Sequence, residues 1–254
     1  MMSPVEGFTK RRAQCPPEFF AVEAAGLAWL QVDGGARVVR PLAVSDTSIT
    51  VERVHPRQPT VAAAADLGRR LAVTHGAGAS AFGVGPDTWS GDGFIGDAPL
   101  PLRPDNRWGR FYAEQRVLPY SHRALRQGDL DPEQARVFER LAQRLVGGRY
   151  DDEAPPARIH GDLWSGNVLY DSEGAILIDP AAHGGHRITD LAMLALFGAP
   201  NLGTVLAAYA EAAVLPGDWR ELLPLHQVHP LLVHTVLFGG GYGERAVEAA
   251  RPFL

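Results

Sequence analysis

The chain of 254 residues reads as an α+β protein of two lobes, a small mixed lobe followed by a larger, mainly helical one. Three observations predict this. β-rich runs gather before residue 58, where 36–44 and 48–54 flank the turn-like Ser45-Asp46-Thr47. Helical patterns dominate from Thr60 onward. Between them, His55-Pro56-Arg57-Gln58-Pro59 has the composition of a linker. The lobes are therefore expected at 1–58 and 59–254.

The elements follow in order. A short strand over 7–12 carries Lys10, and Pro16-Pro17 opens a helix through Leu30, since proline is tolerated in a first turn. The Ala- and Leu-rich stretch 60–75 is helical. The segment 76–106 is rich in Gly, Pro and Asp and reads as a long irregular loop. A helix is expected over 107–118. Asp131-Pro132-Glu133-Gln134 opens another, with Asp131 as N-cap and Gln134 reaching back. A strand over 175–178 and helices over 189–197, 201–213 and 218–238 complete the chain, the last bent at Pro224 or Pro230.

Composition narrows the class. Hydrophobic residues make up 46% and charged residues 21%, ordinary for a globular protein. A net charge of −5 suggests neither nucleic acid nor an acidic membrane as partner. Cys15 is the sole cysteine, which excludes an intramolecular disulfide and fits a reducing compartment. The N-terminus, from Met1 to Glu6, lacks a basic region followed by an apolar core, and no apolar run reaches the ~18 residues of a membrane helix. A cytoplasmic protein is expected, as monomer or homodimer. Lys10 is the only lysine and so the only candidate for any lysine role.

The most informative stretch is His160-Gly161-Asp162-Leu163-Trp164-Ser165-Gly166-Asn167, followed by Ile176-Leu177-Ile178-Asp179. Asp162 and Asn167 have the spacing of the protein kinase catalytic loop, and Asp179 follows a β-rich run as the kinase metal-binding aspartate does. Phosphoryl transfer from ATP needs a positioned hydroxyl and a held Mg²⁺, with little covalent chemistry from the protein. Asp162 is read as the base, and Asn167 and Asp179 as Mg²⁺ ligands through hard oxygens. His160 supports the loop, and Gly166 is expected to let it turn back toward Asn167. The arrangement as a whole is protein kinase-like, with adenine against the linker beside Glu52 and Val54.

Other residues join this core. Glu23 shares a helix face with Phe19, Leu27 and Leu30, and a carboxylate in an apolar stripe needs a partner. Lys10 is that partner, matching the kinase lysine that holds the ATP phosphates and the glutamate that positions it. Asp190 opens a helical apolar run, as an N-cap, as a brace for the catalytic loop, or as both. Trp164 offers a flat platform for a sugar or amine. His186 and His234 are candidates for contact with a polar substrate. A zinc site at His226 and His229 is disfavoured, because no Cys cluster or H-E-x-x-H accompanies them.

The chain resembles the fructosamine kinase (ketosamine-3-kinase) family, itself similar to aminoglycoside and choline kinases. The resemblance rests on the His160–Asn167 stretch with its Trp-Ser-Gly, and on Asp179-Pro180-Ala181. It extends to Gly185-His186-Arg187 and the run from Asp190 to Gly198, and to 225–242. Phe94-Ile95-Gly96 and the helix bearing Trp108, Phe111, Glu114, Gln115 and Arg116 fit too. It implies ATP-dependent phosphorylation of a sugar hydroxyl, typically O3, on a fructosamine or ribulosamine, small or protein-bound. The resulting 3-phosphate releases the free amine, which links the family to deglycation. The family also carries a Gly-containing β-hairpin before the lysine strand. Only nine residues precede Lys10 here, so the small lobe is expected to be truncated. That would mark either a short subgroup with an open phosphate site and a higher KM for ATP, or a start codon placed too late.

Two rivals remain at this point. One is an aminoglycoside- or choline-type phosphotransferase. The other is a catalytically impaired kinase fold that binds nucleotide only. The second is opposed by the presence of Asp162, Asn167 and Asp179 together, for which a binding module has no chemical need.

Overall fold

The computed structural model describes residues 5–254. Met1 to Pro4, on which the reading of the N-terminus partly rests, lie outside the described residues. Strand β1 (Gly7–Arg11) places Phe8 and Lys10 on one face by the period-2 alternation of a strand. Helix α1 (Phe19–Trp29) starts later than the prolines predict. Glu18 takes a left-handed conformation, φ 65°, and the helix begins only after it. Phe20, Leu27 and Trp29 of α1 are buried.

The single run expected over 36–44 is two strands, β2 (Arg37–Val38) and β3 (Pro41–Ser45). They serve different sheets. β3 joins β4 (Ser48–Glu52), and β4 pairs antiparallel with β1, with Lys10 opposite Ile49. The sheet order is β1-β4-β3. Pro41 has no N–H to give, and the β3–β4 register slips between Pro41 and Ala43.

Helix α2 (Val61–Gly76) is capped by Thr60, whose hydroxyl accepts from the Ala63 N–H at 3.1 Å. The stretch read as irregular holds a hairpin of β5 (Gly93–Ile95) and β6 (Ala98–Leu100). Each strand is three residues long and β6 contains Pro99, so period-2 alternation could not betray them. The helix expected over 107–118 runs on. It comprises α3 (Trp108–Phe111), a π-helical turn (Tyr112–Val117) and α4 (Leu118–Gln127). Pro119 accounts for the irregularity. It cannot donate to the Gln115 carbonyl four residues back, and that carbonyl instead accepts from Arg116 Nη1 at 3.1 Å.

Helix α5 (Pro132–Val146) has the expected capping box. Asp131 accepts from Glu133 and Gln134, and the Gln134 side chain accepts from the Asp131 N–H. Strand β7 (Ala157–Ile159) precedes the catalytic-loop sequence. β8 (Val168–Asp171) and β9 (Gly174–Leu177) follow it as a hairpin. β9 also pairs in parallel with β2, which ties the N-terminal segment to the rest of the fold. β10 (His183–Gly185) returns to β7. Then come α6 (Ile188–Phe197), α7 (Leu202–Ala212), a 3₁₀ turn (Trp219–Leu222), α8 (Leu223–Phe238) and α9 (Tyr242–Ala250), the last not expected from the sequence. No helix among the described residues is long and apolar enough to cross a membrane.

Two apolar cores result. One lies among α3, α4, α5, α8 and α9. The other runs from Phe20 and Leu27 of α1 through Ile49 and Leu71 to Leu163, Leu191 and Tyr209. The catalytic-loop sequence sits on this second core, because Leu163 is fully buried in it.

Candidate active site

The loop after β7 is held from below by one carboxylate. Asp190 is fully buried and accepts from the backbone N–H of His160 at 2.7 Å and of Gly161 at 2.9 Å. It also meets His75 Nε2 at 3.1 Å, whose other ring nitrogen reaches Tyr209 Oη at 2.8 Å. Burial alone would raise Asp190, but the bond and charge of His75 hold it below the usual carboxylate range. The N-cap reading of Asp190 is therefore corrected. The residue at the α6 N-cap position is Arg187, and Asp190 lies inside the helix as a brace for the loop. His75 and Tyr209 were missed from the sequence, because only tertiary packing brings them to Asp190.

The loop geometry depends on Gly161 and His160. Gly161 has φ 83°, and a Cβ there would stand 2.2 Å from the Ala181 carbonyl oxygen. His160 Nε2 donates to the Ile178 carbonyl at 2.9 Å, and its Nδ1 accepts from the Asp162 N–H at 3.2 Å. That pattern is the neutral ring, and burial pushes the His160 pKa down in agreement. Gly166 acts differently from expectation. It needs no left-handed backbone; a Cβ there would collide with the Trp164 ring at 2.2 Å. Its small size makes room for that ring.

Above the loop the polar groups converge. Asn167 Nδ2 donates to the Asp162 carbonyl at 2.8 Å and to Asp162 Oδ2 at 3.1 Å. Asn167 Oδ1 accepts no hydrogen bond among the described residues. Asp179 follows β9 with φ 53°. Its Oδ1 accepts from Lys10 Nζ at 2.7 Å, and Lys10 also forms an ion pair with Glu23. Burial would lower the Lys10 pKa, but the carboxylates of Glu23 and Asp179 outweigh it and keep the ammonium charged. Burial pushes the Asp162 carboxyl up to about 6, against the bond from Asn167.

Two cavities meet at Lys10 and Asp179. One, of about 310 Å³, is lined by Phe8, Val39, Val51, Leu169 and Ile178, with Glu52 and Val54 on its wall. The other, of about 430 Å³, is lined by Glu23, Asp162, Trp164 and Asn167, with Phe19 and Phe94. The β5–β6 hairpin supplies Phe94, whose ring lies 5.3 Å from that of Phe19. Arg12 ties the same hairpin down through Asp97 at 2.5 Å. These wall residues were missed as site residues, because a three-residue hairpin leaves no periodic signal.

The structure thus brings Lys10, Glu23, Asp162, Asn167, Asp179 and Trp164 to one place, with Glu52 and Val54 in the adjoining cavity. The other two substrate candidates lie elsewhere. His186 is buried against Trp108 and His226, with Nε2 at 3.1 Å from Asp152. His234 contacts the Pro230 carbonyl at 2.8 Å and packs beside Phe197, Phe238 and Tyr242. Neither lines the cavity that holds Asp162. His226 stacks on Trp108 with ring centroids 4.6 Å apart.

A family model described as fructosamine kinase matches residues 5–254. A probable ketoamine kinase of Thermus thermophilus is 34% identical over 238 residues, which span 92% of this chain and 83% of that protein. The crystal structure of a candidate fructosamine-3-kinase from Thermobifida fusca superposes with a TM-score of 0.90 at 47% identity, covering 97% of this chain and 85% of its own. A thermostable aminoglycoside phosphotransferase superposes with a TM-score of 0.60 at 14% identity, over 92% of this chain and 83% of that one. At that identity the likeness speaks for the fold alone, which is the two-lobe α+β fold of kinase-like phosphotransferases.

Proposed function

We propose, for a chain that belongs to the fructosamine kinase family, that it phosphorylates a sugar hydroxyl, O3, of fructosamines or ribulosamines. Phosphoryl transfer from ATP follows from the family itself. The observation that carries the finer reading is the meeting of the two cavities at Lys10 and Asp179, with Asp162 on the wall of one. The mainly apolar cavity suits an adenine ring, and the aromatic and acidic one suits a sugar-amine. The small lobe, expected over 1–58 and described from residue 5, and the helical lobe, 59–254, would face each other across them.

The residues fit Mg²⁺ and ATP. Asn167 Oδ1 and the Asp179 carboxylate are hard oxygen donors that would hold the metal, with its remaining positions left to phosphate and water. Lys10, kept charged by Glu23, would hold the ATP phosphates, and Glu52 and Val54 would border the base. When bound, the metal neutralises phosphate charge and so lowers the barrier to transfer.

Asp162 takes the proton of the acceptor hydroxyl. Its Oδ2 is engaged by Asn167, which fixes the carboxylate and leaves Oδ1 toward the cavity. With its pKa pushed up to about 6, the group is ionised at neutral pH and still basic enough to accept a proton. Trp164, 41% exposed beside it, is the flat surface for the sugar. His160 and Asp190 hold the loop and touch no reactant. His186, which is buried, and His234, which is half-buried, lie outside the cavity that holds Asp162, so this reading gives them no contact with the substrate.

The test is Mg²⁺- and ATP-dependent phosphorylation of a fructosamine and a ribulosamine, with an aminoglycoside and choline in parallel. Turnover of a ketosamine, reduced roughly 10²–10⁴-fold by Asp162→Asn, is expected. Turnover of the aminoglycoside or choline alone, or ATP binding with no turnover of any acceptor, overturns the proposal.

A further inference from the structure

The helix sequence around Trp108 and Arg116 has so far no part in the site. Arg116 is 1% exposed, a full guanidinium side chain in the interior. The π-helical turn carries it inward. Its Nη1 donates to the Pro101 carbonyl at 2.8 Å and the Gln115 carbonyl at 3.1 Å, and its guanidinium lies 4.6 Å from the Phe111 ring centroid. Nε and Nη2 have no protein partner among the described residues, and neither has Nε2 of the buried His229. Both residues line one small cavity of about 10 Å³, together with His183, Tyr112, Ile159 and Gly161.

The charge is as unmatched as the donors. Burial lowers Arg116 to about 10, so it remains a cation at neutral pH. Asp92 is the one carboxylate whose charge reaches it appreciably; that residue is exposed, and its Oδ1 already accepts from the Leu102 N–H at 3.0 Å. The neighbouring Tyr120 is neutral, pushed up to about 12 by burial, and burial holds His183 and His229 in the neutral form as well. Asp190, nearby beneath the loop, spends both oxygens on His160, Gly161 and His75. A buried cation without a counter-charge costs several kcal/mol. A water molecule would satisfy the donors but not the charge. A cavity with room for about one water-sized particle excludes phosphate and sulfate.

We propose that the cavity enclosed by Arg116, His183 and His229 behind the catalytic loop binds one halide-sized monovalent anion, with chloride the abundant occupant. Arg116 Nε and Nη2 and the Nε2–H tautomer of His229 supply its donors. The cavity wall includes Gly161, and His183 donates from Nδ1 to the Ala181 carbonyl at 2.8 Å. Occupancy therefore supports the two segments that carry Asp162 and Asp179, without any contact with substrate.

The deciding experiment is a crystal of the full chain equilibrated with bromide in place of chloride. An anomalous scattering peak within hydrogen-bond reach of Arg116 Nε or Nη2 and His229 Nε2 is expected; a cavity holding only water overturns the proposal. In solution, Tm is followed as gluconate is exchanged for chloride at constant ionic strength. A rise that saturates, and that is lost in Arg116→Met, is expected. A Tm equal in the two salts overturns the proposal. If Arg116→Met fails to fold, the bromide map of the unaltered protein still decides.

Discussion

Lys10 is held by two carboxylates, Glu23 of α1 and Asp179 from the segment after β9. Glu23 is mostly buried against Lys10, and the proposed reading makes it the group that orients the ammonium. Glu23→Gln keeps the shape and removes the charge. The expected result is a KM for ATP raised about tenfold, or ~1.4 kcal/mol, with a smaller change in KM for the ketosamine; equal changes in both would contradict the assignment. Lys10, Glu23, Asp162, Asn167 and Asp179 were legible in the sequence because each is a polar residue whose type and spacing the chemistry dictates. His75 was not, because its value lies in a contact with Asp190 across 115 residues. His186 and His234, expected near the substrate, lie instead beside aromatic rings and outside the cavity that holds Asp162, because histidine type alone carries no placement.

Elements were legible where their signals are local. The capping box of α5 is written in consecutive residues. The β2 strand was not, because it is two residues long and its pairing with β9 lies 139 residues away at Arg37 and Ile176. The crossing of α2 and α7 is of the same non-local kind. A Cβ on Gly68 would stand 2.3 Å from the Val205 carbonyl oxygen and 2.9 Å from the Tyr209 nitrogen. Backbone cannot swing aside as a side chain can, so Gly68→Ala must push the helices apart, despite the better helix propensity of alanine. We expect a loss of roughly 1–3 kcal/mol, read as a lower urea midpoint with unchanged m-value. Because α7 carries Tyr209 to His75, the same variant should lower kcat more than it changes either KM. An unaltered urea midpoint would show that the crossing is looser than the structure indicates.

Across the whole molecule the two halves share one core, since α1 and the strands near it pack into the same cluster as Leu163, Leu191 and Tyr209. Unfolding should therefore be a single transition, and buried titratable groups in either half should act on the same equilibrium. The interior is rich in histidine. His160, His183, His226 and His229 are all buried and all pushed down by desolvation, His183 to about 3. In the unfolded chain each titrates near 6.5. As pH falls below 6.5 the unfolded state takes up protons that the folded state cannot, so stability is lost with acid. Each such histidine contributes about 1.4 kcal/mol per pH unit. Asp162 acts in the opposite sense, because its folded pKa of about 6 lies above the unfolded value and lets the native state bind a proton first. His183, His226 and His229, whose shifts are the large ones, less the one carboxyl leave a slope of roughly 3 kcal/mol per pH unit between about pH 6 and 4, and His160 acts in the same sense. Against a total stability of about 5–15 kcal/mol, that slope exhausts the lower end of the range between about pH 4 and 5 and leaves a protein at its upper end folded at about pH 4. Urea titrations at pH 7.5, 6.5 and 5.5 check this. The free energy should change little over the first interval and fall steeply over the second, and a flat profile down to pH 5.5 would mean that the buried rings gain protons in the folded state. His226→Gln, at a ring that stacks on Trp108 and lies away from the reactive groups, should flatten the slope by about one proton's worth while lowering the overall stability at neutral pH.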